Sequence, residues 1–246
     1  MERAEWLKKM RSMAEELYDH FSPLYWVDWG VSIEETHQEF LQKFLELVGK
    51  PGVILSAGCG AGLNDGILLE AGHSVVGIDQ SEGMLKRARQ HYPTERFPQL
   101  RYEKMGMQEM TFHEEFDGVT CIDALEHIFP EDYPLILRGF SQALKPGGVL
   151  YFTVDDSASE ELEAAYQKAK AMGLPVVYGE LVDRVEESYA KVIHMQQLPP
   201  GDLADSAVYH FYPSLDQVRQ WLDQAGMAIV AEGSGKWYHH FLTKKW

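Results

Sequence analysis

Residues 53–62 read VILSAGCGAG, and residues 75–79 read VVGID. The first stretch opens on three apolar residues, Val53, Ile54 and Leu55, in the pattern of a short buried strand. It then breaks into Gly58, Gly60 and Gly62, and a helix-forming stretch follows from Leu63. A second apolar run, 73–78, ends on the acid Asp79. Strand, glycine turn, helix, strand and acid follow the plan of a nucleotide-binding βαβ unit. Glycines in such a turn let the backbone approach a ligand where a Cβ would collide. The turn's N–H groups and the helix N-terminus together favour an anionic group. A carboxylate at the tip of the second strand can accept hydrogen bonds from two ribose hydroxyls.

The spacing selects among units of this kind. A dinucleotide fingerprint, G-x-G-x-x-G, would put its third glycine at position 63, which is Leu63; the glycine stands at Gly62. The resulting G-x-G-x-G, followed by Asp79, resembles the sites of class I S-adenosylmethionine (SAM)-dependent methyltransferases that modify small molecules. The resemblance extends through Asp79-Gln80-Ser81-Glu82-Gly83-Met84, through Phe116-Asp117-Gly118-Val119 and Leu125-Glu126-His127, and through Leu144-Lys145-Pro146-Gly147-Gly148. It covers residues 38–155 well and 209–246 more loosely.

The resemblance implies SAM as cofactor and assigns residues to it. Ser56, Ala57, Gly58, Cys59 and Gly60 would form the turn at the methionine end, and Asp79 would hold the ribose. Gln80 and Met84 would flank the adenine, with Met107 and Gln108 on its other side. Backbone at Ile122 or Asp123 would face the amino group and sulfonium. Two positions depart from the family pattern: Ser56 stands where an acid is usual, and Met107 where an acid often receives the adenine amino group.

The bulk composition fits a globular enzyme. The chain has 246 residues, 45% of them hydrophobic, enough for one large domain or one domain with a lid. A net charge of −16 argues against DNA, RNA or anionic membranes as partners, because phosphate binding needs a basic patch. The expected partner is a small-molecule methyl acceptor; oligomeric state is not legible. The two cysteines, Cys59 and Cys121, make no disulfide framework, and no close Cys/His grouping suggests a metal. The first residues carry no signal-like apolar segment and no run is long enough to span a membrane, so a cytoplasmic location is expected.

Along the chain, 4–18 reads as an amphipathic helix carrying Trp6, Met10, Met13 and Leu17. Tyr18, Phe21, Tyr25, Trp26 and Trp29 follow, so residues 1–48 read as a helical and aromatic lid with a second helix at 32–48. Strands are expected near 53–57, 74–78, 100–104, 118–122 and 148–154, with helices between them. That alternation predicts an α/β, doubly wound, mostly parallel seven-stranded sheet with helices on both faces. A helix at 214–225 and a β-hairpin pairing 227–232 with 237–243 supply the antiparallel C-terminal strand. Residues 156–208 break the rhythm and read as a cover inserted after the fifth strand. The core domain is then 49–155 plus 209–246.

A SAM methyl is already activated, so the remaining demands are alignment and, for a protonated acceptor, a base. His127 and His210 are the candidate bases, with His194 behind them. Glu180 is a candidate to receive a cationic substrate amine. Two other readings stay open from these residues: a SAM-binding sensor that never transfers, and a nucleotide-linked oxidoreductase.

Overall fold

The structure, a computed structural model, describes residues 2–26, 34–155, 159–184 and 207–246. Trp29, His194 and the Pro199-Pro200-Gly201 turn lie outside them.

Seven strands form the main sheet: β1 (Val53–Ala57), β2 (Ser74–Asp79), β3 (Leu100–Lys104), β4 (Phe116–Cys121), β5 (Leu144–Asp155), β8 (Met227–Ser234) and β9 (Tyr238–Lys245). Their order is β3-β2-β1-β4-β5-β9-β8. The first five run parallel, and β9 lies antiparallel to both β5 and β8. The order reverses between β1 and β4, and ligands of such sheets bind beyond the strand C-termini at that switch point.

Side chains alternate across the sheet with the period of two that extended backbone imposes. In β1, Leu55 joins one apolar core and Ile54 the other; in β2, Val76 and Val75 divide the same way. In β5, Leu150 and Phe152 face the first core, while Val149 and Tyr151 face the second. Because both faces are covered, these strands are continuously apolar, as the sequence shows. Helices α1 (Arg3–Phe21) and α5 (Tyr133–Ala143) serve the first core through Trp6, Met10, Ile136, Leu137 and Phe140. Helix α2 (Glu35–Val48) serves the second through Phe40, Leu41 and Phe44. Full burial of one such side chain is worth about 1.5–3 kcal/mol.

Shorter helices close the crossovers: α3 (Asp65–Glu70) after β1 and α4 (Glu82–His91) after β2. Ser81 caps α4, its hydroxyl accepting from the Met84 N–H at 3.1 Å. The helix expected near Leu125 is a single 3-10 turn, Leu125–His127. Helix α7 (Leu215–Gln224) starts from a Ser214 cap, accepting from the Gln217 N–H at 3.2 Å.

The segment after β5 holds α6 (Ser159–Ala171) and a second sheet, in which β6 (Glu180–Arg184) pairs antiparallel with β7 (Ala207–Phe211). Sequence pattern groups Tyr209–Tyr212 with the returning core; the ladder instead joins 207–211 to 180–184, outside the main sheet. The reason is non-local: the partner strand lies on the far side of residues 185–206. Among the described residues no helix is long and apolar enough to cross a membrane. Nor is any group of three or more His, Cys, Asp or Glu side chains there placed to hold a metal ion.

Candidate active site

The turn leaving β1 places Gly58, Gly60 and Gly62 at φ of 62°, 52° and 81°, the left-handed region that side chains resist. At Gly58 the constraint is double, since a Cβ there would lie 2.6 Å from the Ala124 Cβ. The turn is braced from β2. The Gly60 N–H donates to Asp79 Oδ2 at 2.9 Å, and the Cys59 N–H donates to the Ile78 carbonyl at 3.0 Å. The other Asp79 oxygen accepts from the Ser81 N–H at 2.8 Å. Burial pushes the Asp79 carboxyl upward, and those two N–H groups pull it back.

These residues open onto a cleft at the C-terminal ends of the strands, where ligands of such sheets bind. Its floor is Gly58, Gly60, Asp79 and Asp123, at the C-terminal edges of β1, β2 and β4. One wall carries Gln80, Met84, Met107 and Gln108, joined by Met105 and Gly106. The roof is α1, which presents Arg11, Ala14 and Tyr18 on one helical face by their spacing of three and four residues. Tyr25, Ala124, His127, Ile128, Phe129 and Asp132 complete the described lining.

Nine of the residues assigned from sequence therefore meet in one cleft: Gly58, Gly60, Asp79, Gln80, Met84, Met107, Gln108, Asp123 and His127. Others sit behind it. Ala57 is core, and Ile122 packs toward the α2 side of the sheet. The Cys59 side chain turns inward, where burial raises its thiol pKa. Ser56 is buried beside the carboxyl of Asp65 under the glycine turn, and Tyr102 donates to that carboxyl at 2.7 Å. The acid missing at position 56 thus has a spatial counterpart nine residues on.

Glu180 is fully buried and engaged elsewhere. It accepts from Arg3 at 2.7 and 3.0 Å, from the Tyr209 hydroxyl at 2.6 Å and from the Val177 N–H at 2.6 Å. It ties α1 to the β6–β7 sheet and does not line the cleft. His210 stacks behind His127 with ring centroids 4.9 Å apart. Burial first, then His127, push its pKa down to about 3.

His127 has a defined tautomer. Its Nδ1 lies 3.0 Å from the Tyr209 carbonyl, which can only accept, so Nδ1 carries the proton. Nε2 is then an acceptor, and the Tyr18 hydroxyl donates to it at 2.6 Å. Burial lowers the His127 pKa and keeps the ring neutral. Glu126, 3.6 Å away, is raised well above the usual carboxylate range by burial and then by Asp123. Asp123 has φ of 53°, uncommon for a side-chain-bearing residue, and accepts from the Tyr238 hydroxyl. Trp26, read as a lid aromatic, stacks on His91 at 4.1 Å and donates to the Ala61 carbonyl at 2.9 Å. Arg11 and Asp132 were not legible as site residues; the spacing of Arg11, Ala14 and Tyr18 was the available signal.

A family described as "Methyltransferase domain" matches residues 55–152. The ubiquinone biosynthesis O-methyltransferase of Hydrogenovibrio crunogenus is 36% identical over 118 residues, 47% of this chain and 46% of that protein. The same-named protein of Ralstonia nicotianae is 29% identical over 201 residues, 78% of this chain and 76% of that one. The chain thus spans about half the length of the first of these relatives. The structure of Burkholderia thailandensis 1,6-didemethyltoxoflavin-N1-methyltransferase, bound to its substrate and S-adenosylhomocysteine, superposes with a TM-score of 0.65 at 19% identity. It covers 100% of this chain and 91% of that one. Magnesium protoporphyrin IX methyltransferase from Synechocystis, with bound SAM, gives a TM-score of 0.56 at 17% identity, over 85% of this chain and 80% of that one. The matched stretch runs from within β1 to within β5 and holds the glycine turn and Asp79, so over that stretch the chain is similar to the methyltransferase domain, and its fold is shared with the methyltransferases named above.

Proposed function

We propose that the protein transfers a methyl group from SAM to an oxygen, or less favourably a nitrogen, of a small organic acceptor. The observation that carries this reading is the convergence of Gly58, Gly60 and Asp79 with His127 in one cleft beneath α1. The residues fit the cofactor. Gly58 leaves a hollow that a Cβ would fill. Asp79 has used one acceptor site on each oxygen, and a carboxylate offers about four, so about two remain for a ribose diol. Met84 and Met107 supply polarizable apolar surface for an adenine ring. When bound, SAM supplies an electrophilic methyl on a cationic sulfur.

The chain's own residues do the rest. Asp79 and the glycine turn fix one end of the cleft, while Asp123 sets negative charge near the β4 terminus. His127, neutral and with Nε2 as acceptor, provides the base. Helix α1 serves as the lid, and α6 with the β6–β7 pair as the cover. Oxygen is favoured as the acceptor atom in line with the names of the curated O-methyltransferase relatives.

Calorimetric titration with SAM and S-adenosylhomocysteine, then a small-molecule acceptor panel with methyl-labelled SAM, tests the reading. Tight binding with label transfer is expected. Binding without transfer to any acceptor would point to a sensor, and no binding at millimolar ligand refutes the cofactor assignment.

A further inference from the structure

We propose that Tyr18 is a catalytic residue: its hydroxyl takes the proton of the acceptor's hydroxyl and passes its own proton to Nε2 of His127. This inference rests on the methyl-transfer reading above. Three observations carry it. Tyr18 lines the cleft from α1, on the same helical face as Arg11 and Ala14. Its hydroxyl donates to His127 Nε2 at 2.6 Å, so the ring's lone pair is already covered by the phenol. The opposite ring nitrogen is fixed as a donor by the Tyr209 carbonyl at 3.0 Å, which forbids the other tautomer. A proton leaving a molecule in the cleft therefore reaches the imidazole through Tyr18.

The step balances. The acceptor O–H bond breaks as an O–H bond forms at Tyr18, and the original Tyr18 O–H bond breaks as an N–H bond forms at Nε2. Tyrosine stays neutral and His127 becomes an imidazolium. The acceptor oxygen's electron pair forms the bond to the methyl carbon, whose bond to sulfur breaks. Positive charge thus passes from sulfur to His127, where the Glu126 carboxyl lies 3.6 Å from Nε2. The imidazolium returns its proton to water when the cleft opens. Proton transfer is efficient between groups of matched acidity. A phenol relay feeding a weak imidazole base therefore selects an acceptor hydroxyl of tyrosine-like acidity, phenolic or enolic, over an aliphatic alcohol.

The test has one arm that needs no acceptor. In protein labelled with ¹⁵N-histidine, NMR should show His127 protonated at Nδ1 and hydrogen-bonded but unprotonated at Nε2. Tyr18→Phe should shift the Nε2 resonance and leave Nδ1 in place. A proton resident on Nε2 overturns the relay whatever the acceptor. The second arm uses methyl-labelled SAM with catechol, a primary alcohol and a primary amine as probes. Label should enter catechol, and Tyr18→Phe should lower kcat about 10²–10³-fold while affinity for S-adenosylhomocysteine is unchanged by calorimetry. Undiminished turnover by Tyr18→Phe overturns the relay and leaves the cofactor reading standing. Preferred transfer to the alcohol overturns the acidity argument. Failure of the wild-type protein to bind S-adenosylhomocysteine overturns the underlying reading instead.

Discussion

Asp79→Ala tests the cofactor role proposed for this carboxylate apart from its structural one. In the folded protein each oxygen accepts one backbone N–H, from Gly60 at 2.9 Å and from Ser81 at 2.8 Å. Asp79 lines the cleft, and its remaining acceptor capacity is what a ribose diol would use. A hydrogen bond to a charged group is worth ~1.5–3 kcal/mol, so losing two ribose contacts removes ~3–6 kcal/mol of binding. At ~1.4 kcal/mol per tenfold, affinity for S-adenosylhomocysteine should fall roughly 10²–10⁴-fold. The fold should survive. The Gly60 amide borders the cleft, where water can replace the carboxylate, while the buried Ser81 amide loses its partner; removing a charge that burial disfavours offsets part of that loss. Calorimetric titration with S-adenosylhomocysteine measures the affinity without turnover, and circular dichroism and a melting curve check the fold. Asp79→Asn, which keeps one acceptor oxygen, should lie between the two. A folded Asp79→Ala protein that binds within about threefold of wild type, far less than two lost charge-assisted bonds require, refutes the ribose assignment.

Gly58→Ala must carry a side chain at φ of 62° and place its Cβ 2.6 Å from that of Ala124. The turn should shift, and calorimetry should show affinity for S-adenosylhomocysteine falling about 5–150-fold, from strain of ~1–3 kcal/mol. Glu180→Ala removes the buried partner of Arg3 and Tyr209. With Glu131 still beside Arg3, the cost should be about 3 kcal/mol, the low end for a broken buried pair. Differential scanning calorimetry should show a fall of about 6–12 °C in Tm, at ~2–4 °C per kcal/mol for a chain of this size. Asp155 is pushed up to about 7, by burial first and then by Asp123. Its folded pKa lies above its unfolded one, so its ionisation opposes folding above pH 7, and that penalty shrinks as pH falls from about 7 toward 4. Asp155→Asn should therefore raise Tm most at pH 8 and progressively less down to pH 4. An equal gain at both ends of that range would contradict the burial of this carboxyl.

What the sequence disclosed was local, and what it hid was not. The glycine turn, Asp79 and the Ser81 cap were legible because each depends on backbone conformation within a few residues. The parallel strands were legible because both faces are buried, which writes continuous apolar runs into β1, β2 and β5. The partner of Glu180 is Arg3, at the other end of the chain. Tyr18 and His127 are 109 residues apart, and only the packing of α1 across the sheet brings them together. Ser56 looked like a defect because the carboxyl beside it arrives from Asp65 after the turn closes. His210 and His127 were equivalent as residues; the ladder of β7 puts one behind the other and leaves only His127 on the cleft.

Charge explains why the histidines here are buried neutral. The described lining of the cleft carries three acids, Asp79, Asp123 and Asp132. Among the described residues of the lining the one arginine, Arg11, is already paired with Asp132 at 2.5 Å. A protonated imidazole on the same cleft would oppose a cationic cofactor by Coulomb repulsion. Burial removes this conflict, lowering the pKa of His127 and holding that of His210 to about 3. The same burial leaves Nε2 of His127 with a lone pair at neutral pH, which a base requires. Once the methyl has moved, sulfur is neutral and the positive charge sits on the imidazole, closer to Glu126. In the proposed reaction the fixed acids would favour a cationic cofactor over its neutral product, so one arrangement of charge would admit the substrate, accept the proton and weaken the hold on what must leave.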